Sequence, residues 1–256
     1  MSVISGSEVR GGGEVGALAA LPLAALKLIL VGVYTAVLGT LAVAVALFDE
    51  CAAFGVCRWW ARAILALYGV RVRTQRLAPL DPQAPYVILS NHRSQFDILA
   101  VVLALDDLQL RWVAKKELTR VPIFGWALKH TGHIVIDRSD PAQAIASLRA
   151  AREKMARGVS VVLFPEGTRS GAGQALLPLK KGGFMLALET GFPIVPVVVR
   201  GSREILPRGS LRALPGEIEV VVGAPIAVDG AERDDLMERV RTFMLAQLHP
   251  SSTVAP

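Results

Sequence analysis

The chain is poor in cysteine. Its only two, Cys51 and Cys57, stand without the further Cys or His spacing that a tetrahedral metal site requires. Two thiols cannot build a disulfide framework, so they read as free groups in a reducing compartment, with the main domain facing the cytoplasm. Aromatic residues are also scarce at 6%, the arginines are scattered, and no groove-reading motif is present. Nucleic acid is therefore disfavoured as the partner of this +6 chain. An anionic surface, either lipid headgroups or a phosphorylated substrate, suits the charge instead. No Gly-x4-Gly-Lys-Ser/Thr loop accompanies Gly171-Ala172-Gly173 or Lys180-Lys181-Gly182-Gly183, which argues against an NTPase. The Gly-x-Ser-x-Gly elbow of serine hydrolases is missing too. His130 and His133 form an H-x2-H pair, but no Cys or carboxylate cluster completes a metal shell, and both read as structural.

What the chain has in excess is apolar residues, 52% of 256. That suffices for one large core, and nothing in the interior reads as a linker between two soluble domains. Residues 1–14 read as a flexible tail. Residues 15–48 are almost wholly apolar, broken by Lys27, and residues 28–48 alone give 21 uncharged positions, about what a bilayer core requires. A second apolar stretch at 51–70 carries Arg58 and Arg62 one helical turn apart, beside Trp59, Trp60 and Tyr68. In a helix this spacing puts both guanidiniums on one face with the tryptophans able to sit at headgroup level, which predicts a segment lying in the interface rather than spanning. Residues 15–68 are thus expected to form a membrane-associated helical hairpin dipping into one leaflet, with a single span at 28–48 as the alternative. The main domain is assigned to 69–248 and a second tail to 249–256.

From residue 70 onward, strand-like and helix-like pieces alternate, which predicts an α/β domain with a largely parallel sheet flanked by helices. Strands are expected at 70–74, 86–90, 111–114, 134–137, 160–164, 194–200 and 217–222. Helices are expected at 95–105, 141–157 with Asp140 as cap, 182–189 and 232–247. Residues 206–216 form a basic, apolar loop that reads equally as a membrane or donor contact and as a solvated connection.

Two motifs carry chemistry. In Asn91-His92-Arg93-Ser94-Gln95-Phe96-Asp97, His92 falls where a strand feeds a helix. Five residues on, Asp97 can fold back to one imidazole nitrogen while the other faces a substrate, the arrangement of a general base and its orienter. Ser94, between them, leaves a Ser-His acyl-enzyme as a minor reading. About seventy residues downstream comes Phe164-Pro165-Glu166-Gly167-Thr168-Arg169. Gly167 there reads as a tight turn aiming Glu166 and Arg169 into a cleft, against the plain alternative of a local Glu166–Arg169 ion pair. Of seven lysines, four fall in the pairs Lys115-Lys116 and Lys180-Lys181, which marks two candidate anion sites.

Over roughly residues 68–226 the chain resembles the glycerolipid acyltransferases, above all the bacterial 1-acyl-sn-glycerol-3-phosphate (lysophosphatidic acid) acyltransferases. Four ordered blocks carry the resemblance: Asn91 to Asp97 with its His-x4-Asp; Ala114-Lys115-Lys116-Glu117-Leu118 through Pro122 and Gly125 to Asp137-Arg138; Phe164 to Ser170; and Ile194-Val195-Pro196-Val197 before Arg200-Gly201. The resemblance implies acyl transfer from acyl-CoA or acyl carrier protein to the sn-2 hydroxyl of lysophosphatidate, giving phosphatidic acid without a cofactor or metal. It implies His92 and Asp97 as the catalytic dyad, and Lys115, Glu166, Gly167, Thr168 and Arg169, with Arg138 as a secondary member, as the substrate grip. It also implies a seat on the cytoplasmic face of the bacterial inner membrane, with membrane lipid as a partner. Lyso-ornithine lipid and glycerol 3-phosphate are alternative acceptors, and a non-catalytic lipid-binding scaffold is the rival of another class. Where the family commonly has bulkier aromatics, this chain has Arg93-Ser94-Gln95-Phe96, which leaves acyl-chain and acceptor preference open.

Overall fold

A computed structural model describes residues 12–136, 141–171 and 173–249. Two helices come first, α1 (Gly12–Ala46) and α2 (Glu50–Leu67). There follow β1 (Val70–Arg76), β2 (Val87–Ser90), α3 (Phe96–Ala104), β3 (Leu110–Lys115), α4 (Phe124–His130), β4 (Ile134–Ile136), α5 (Pro141–Met155), β5 (Ser160–Leu163), α6 (Gly182–Thr190), β6 (Ile194–Arg200), α7 (Ser202–Ile205), β7 (Gly216–Val222) and α8 (Arg233–Leu248). A 3-10 turn, Lys116–Arg120, joins β3 to α4.

The strands form one sheet in the order β1-β7-β6-β2-β5-β3-β4, and every neighbouring pair is parallel except β6 with β7. The central strands are short and continuously apolar because both of their faces are covered. Successive side chains point to opposite faces. Ile88 accordingly joins Phe54, Leu65, Val101 and Leu105 in the core beneath α2 and α3. Its neighbours Val87 and Leu89 join Met155, Phe184, Leu236 and Val240 beneath α5, α6 and α8. The α/β class and the seven expected strands are all present, and the parallel pairing brings the carboxyl ends of β6, β2, β5, β3 and β4 to one edge. That edge is where open α/β sheets place their ligands.

The hairpin is also present, with its helical part beginning at Gly12, inside the stretch expected to be a tail. Asp49 caps α2 by accepting N–H bonds from Cys51 at 2.7 Å and Ala52 at 3.1 Å. Trp60 ties the two helices together through Nε1–H to Thr35 Oγ1 at 2.9 Å. The guanidiniums of α2 meet protein groups. Arg58 donates to Leu108 O at 3.0 Å and Arg62 to Asp106 Oδ2 at 2.8 Å, so both clamp the hairpin onto the loop between α3 and β3. The expected interfacial face of α2 is thereby partly engaged by protein, and of that cluster Trp59 and Arg62 remain exposed.

Three short elements escape sequence periodicity: the 3-10 turn, α4 and α7. Five-, seven- and four-residue pieces are too brief to display a helical repeat, and Pro122 and Gly125 read as breakers there. Gly125 is required because a Cβ would sit 2.3 Å from the carbonyl oxygen of Thr119. Asp140 and the last residue expected for β4, Asp137, lie outside the described residues.

The two histidines of the H-x2-H pair have separate structural tasks. His130 Nδ1 lies 2.9 Å from Trp126 O, and His133 Nδ1 accepts the Trp112 N–H at 3.1 Å. Burial, with the nearby Arg111 and Lys154 cations, pushes the His133 imidazole down to about 3. Its folded value lies below the unfolded one of ~6.5, so the stability it preserves is complete above pH ~6.5 and is lost as pH falls toward the folded value. His133→Asn keeps an acceptor for the Trp112 N–H and removes this titration. Urea unfolding between pH 7 and 4 should therefore show a smaller acid loss in the variant than in the parent, and an equal loss in both would contradict the assignment.

Candidate active site

His92 follows the end of β2 directly, and the peptide there is pinned by its neighbours. Asn91, fully buried, bridges to β6 with both amide atoms: Nδ2 donates to Val199 O at 3.0 Å and Oδ1 accepts from Val199 N at 2.7 Å. A polar residue ending an apolar strand needs such partners, which is the signal by which its role could have been read. The His92 N–H donates to Glu166 Oε1 at 2.7 Å, and the His92 carbonyl accepts from Ser170 N at 2.8 Å. The first and third sequence blocks thus meet at one backbone unit.

The His–Asp geometry arises from a helix start. Ser94 and Asp97 have the Ser-x-x-Asp spacing of a capping box: the Ser94 hydroxyl accepts the Phe96 N–H at 3.2 Å, and Asp97 reaches back to the Ser94 N–H at 2.8 Å. The same carboxylate oxygen, Oδ2, also accepts the Arg93 N–H at 2.6 Å and lies 2.9 Å from His92 Nδ1. Asp97 is fully buried, while His92 keeps 16% of its side chain exposed. The ring of Phe164 stacks on the imidazole at 4.0 Å with 14° between planes. With Nδ1 directed at Asp97, the Nδ1–H tautomer leaves Nε2 as the acceptor, and Nε2 has no partner among the described residues. Ser94 is not placed to attack a thioester, because its buried hydroxyl donates to Leu206 O at 2.8 Å while accepting from Phe96.

Glu166 has a different surrounding from the one expected of a substrate grip. It is buried, and its second oxygen accepts the Leu177 N–H at 2.8 Å. Burial raises its carboxyl above the ordinary value, and the bonds from the Leu177 and His92 N–H groups only partly offset that. Neither oxygen meets Arg169, so the local ion pair is not formed either. Glu166 instead braces the His92 peptide and the loop leading to α6. Gly167 takes the left-handed conformation (φ 72°) that the tight turn demands. Thr168 is exposed on that turn, and Arg169 is half-buried with no hydrogen bond or ion pair on its guanidinium among the described residues.

Lys115 ends β3 with an exposed side chain. The registers of β3 with β5 and of β5 with β2 carry it level with Pro165 and Asn91, two strands from His92, or roughly 10 Å at ordinary strand spacing. Lys115 and the Gly167 turn therefore share the carboxyl edge with His92. Lys180 and Lys181, at the start of α6, are also exposed, and Lys180 N donates to Pro165 O at 2.8 Å. Arg138 lies outside the described residues.

Residues 69–200 match the family model described as Acyltransferase. The chain is 34% identical over 184 residues to the chloroplastic 1-acyl-sn-glycerol-3-phosphate acyltransferase BAT2 of Brassica napus, covering 72% of this chain and 52% of that protein. It is 35% identical over 191 residues to human 1-acyl-sn-glycerol-3-phosphate acyltransferase alpha, covering 73% of this chain and 67% of that one. The matched region thus spans about half the length of the first relative and two thirds of the second. In fold, the chain is similar to the crystal structure of the 1-acyl-sn-glycerophosphate (LPA) acyltransferase PlsC from Thermotoga maritima, with a TM-score of 0.77, 22% identity, and coverage of 93% of this chain and 98% of that one.

The brace and grip roles of Glu166 separate kinetically. In Glu166→Gln, one amide can satisfy only one of the two N–H groups that the carboxylate now accepts. We expect kcat to fall by about ten-fold, equivalent to ~1.4 kcal/mol, with the acceptor KM little changed. A raised KM at constant kcat would return Glu166 to the substrate grip.

Proposed function

This chain belongs to the Acyltransferase family, and from that premise we propose that it moves a fatty acyl group from a thioester, acyl-CoA or acyl carrier protein, to the sn-2 hydroxyl of 1-acyl-sn-glycerol 3-phosphate, giving phosphatidic acid. The observation that carries the reading is the His92–Asp97 dyad with Nε2 open at the sheet edge. Direct transfer fits it. The acceptor hydroxyl loses its proton to His92 Nε2 as its oxygen bonds to the thioester carbonyl carbon. Asp97 holds the tautomer and steadies the imidazolium. When the tetrahedral adduct collapses, the C–S bond breaks and the leaving thiolate takes the proton back from His92. No acyl-enzyme is formed, in keeping with the engagement of the Ser94 hydroxyl.

Lys115 and Arg169 are assigned to the acceptor phosphate, because both lie along the same edge and the Arg169 guanidinium is not engaged by another described residue. Lyso-ornithine lipid or glycerol 3-phosphate as acceptor would use the same dyad with a different grip.

The N-terminal hairpin is assigned as an anchor on the cytoplasmic leaflet of the bacterial inner membrane. Within α1, Ala25–Ala46 is 22 residues long, apolar enough to cross a membrane, and only 11% of its most apolar window is buried. A lateral seat is favoured over a span because Ala42 and Val43 are buried against the rest of the protein and Gly39 lies against Ile123 and Ala127. A crossing helix would forfeit those contacts. Under this reading a cysteine placed near position 8, with Cys51 and Cys57 replaced, is labelled only from the cytoplasmic side of intact cells, and labelling from outside would restore the spanning alternative.

Mass spectrometry of lipids made by purified protein from lysophosphatidate, with both donors offered in parallel, tests the activity. His92→Ala should reduce turnover by about 10²–10⁴-fold while the protein still folds and reaches the membrane, and retention of more than about a tenth would remove the general-base role. Arg169→Lys should impair lysophosphatidate transfer despite its retained charge, since a two-pronged donor becomes a point charge. If Arg169→Ala impairs a phosphate-free acceptor just as much, the phosphate assignment is wrong.

A further inference from the structure

We infer that the segment from the 3-10 turn through α4 is a second lipid-contacting element, seated beside α1 in an anionic bilayer. The inference rests on the membrane-anchor reading of α1 and adds to it a surface that sequence had placed on α2. Leu118, Val121, Ile123 and Trp126 are exposed by 41%, 46%, 41% and 46%, all within one short stretch of chain. A soluble domain seldom gathers so much apolar surface without a partner.

Its position identifies the partner. Gly39 of α1 packs against this segment, its Cβ position 3.4 Å from Ile123 Cγ2 and 3.6 Å from Ala127 Cβ. Val33, Val37 and Leu41 are exposed on the face of α1 turned away from Gly39, so this apolar stripe and the segment flank the same helix on opposite sides. A leaflet that takes up α1 from its exposed stripe inward reaches the ledge across the width of one helix, about 10 Å. Arg120 and Lys129 are exposed on the same stretch, without an ion-pair partner among the described residues. Cations bordering an apolar surface are the pattern of an element lying at headgroup depth over anionic lipid.

The backbone is shaped for this display. Ile123 is the only non-glycine residue with positive φ among the described residues, at 62°. A β-branched residue is strained there, and its side chain is nevertheless left exposed. Because β3 runs straight into the 3-10 turn through Lys115, a ledge in the leaflet sets Lys115 at the depth of lipid phosphates. A lysolipid could then present its headgroup to the site while its chain stays in the membrane.

Fluorescence quenching in vesicles tests this on the full chain. With Cys51→Ser and Cys57→Ala, a single environment-sensitive label is placed at Val33→Cys on α1, Val121→Cys on the ledge, or Arg241→Cys on the exposed side of α8. The vesicles contain phosphatidylcholine and phosphatidylglycerol with nitroxides on the acyl chains. Quenching at 33 and 121 but not at 241 is expected. Quenching at 33 with position 121 as unaffected as 241 overturns the ledge and leaves the anchor standing. No quenching at 33 or 121 removes the anchor reading and this inference together. In Arg120→Glu/Lys129→Glu, the phosphatidylglycerol dependence of quenching at 121 should weaken by on the order of 5-fold per cation, with position 33 unchanged. Unchanged dependence at 121 would overturn the anionic-lipid preference.

Discussion

The backbone of His92 is held on both of its polar sides by the turn that follows β5, and the rest of the site depends on that. Its N–H enters Glu166 and its C=O receives Ser170. Between two parallel strands that end at the same edge, one backbone bond and one side-chain bond hold the chains together past the last regular pair. They convert the end of β2 from a frayed terminus into a fixed platform, on which the imidazole can be aimed by only two further contacts, Asp97 and Phe164. A general base is useful only when its lone pair is placed before the substrate arrives, so under the proposed role of His92 the rigidity of this peptide serves catalysis as well as structure.

That platform carries an electrostatic cost. Glu166 is buried without a cation in contact, and its ionised form is supported mainly by two backbone N–H groups. Hydrogen bonds to a charged acceptor are about twice as strong as neutral ones, which is why a carboxylate and not an amide suits two donors converging on one side chain. Asp97 repeats the device from the other direction, with three N–H groups converging on one oxygen. The site is thus built from acceptors in the protein's interior and donors on its backbone, with the cations outside that interior network, Lys115 exposed and Arg169 half-buried.

Much of this was legible in the sequence, for identifiable reasons. The continuous apolar runs of the central strands follow from burial on both faces, and alternation with helices follows from parallel pairing. His92, Asp97 and the Gly167 turn were readable because local spacing determines them: a strand end, a capping box and a left-handed glycine are all short-range features. The task of Glu166 was not, since its partners His92 and Leu177 lie 74 and 11 residues away and no local pattern announces a carboxylate turned inward. Arg58 and Arg62 misled for the complementary reason. Helical spacing correctly put them on one face, but what that face meets is decided by the loop carrying Asp106 and Leu108, which only the tertiary fold brings there.

The same clamp has a further consequence for the proposed membrane anchor. Phe54, Ile64 and Leu65 of α2 belong to the core beneath the sheet, so the hairpin and the α/β domain share one hydrophobic interior. From α1, Lys27 stands 5.3 Å over the ring of Tyr68, and Tyr68 meets Phe96, the neighbour of Asp97, at 5.5 Å between ring centroids. Lys27 is the sole charge in the apolar run of α1, and a cation there belongs at the headgroup level. A flexible tether would leave the depth of the cleft to chance. Under the proposed anchor role, a hairpin buried in the same core, with the lysine of α1 stacked two residues' packing away from the dyad, fixes the height of His92 relative to the lipid phosphates through side-chain contacts alone.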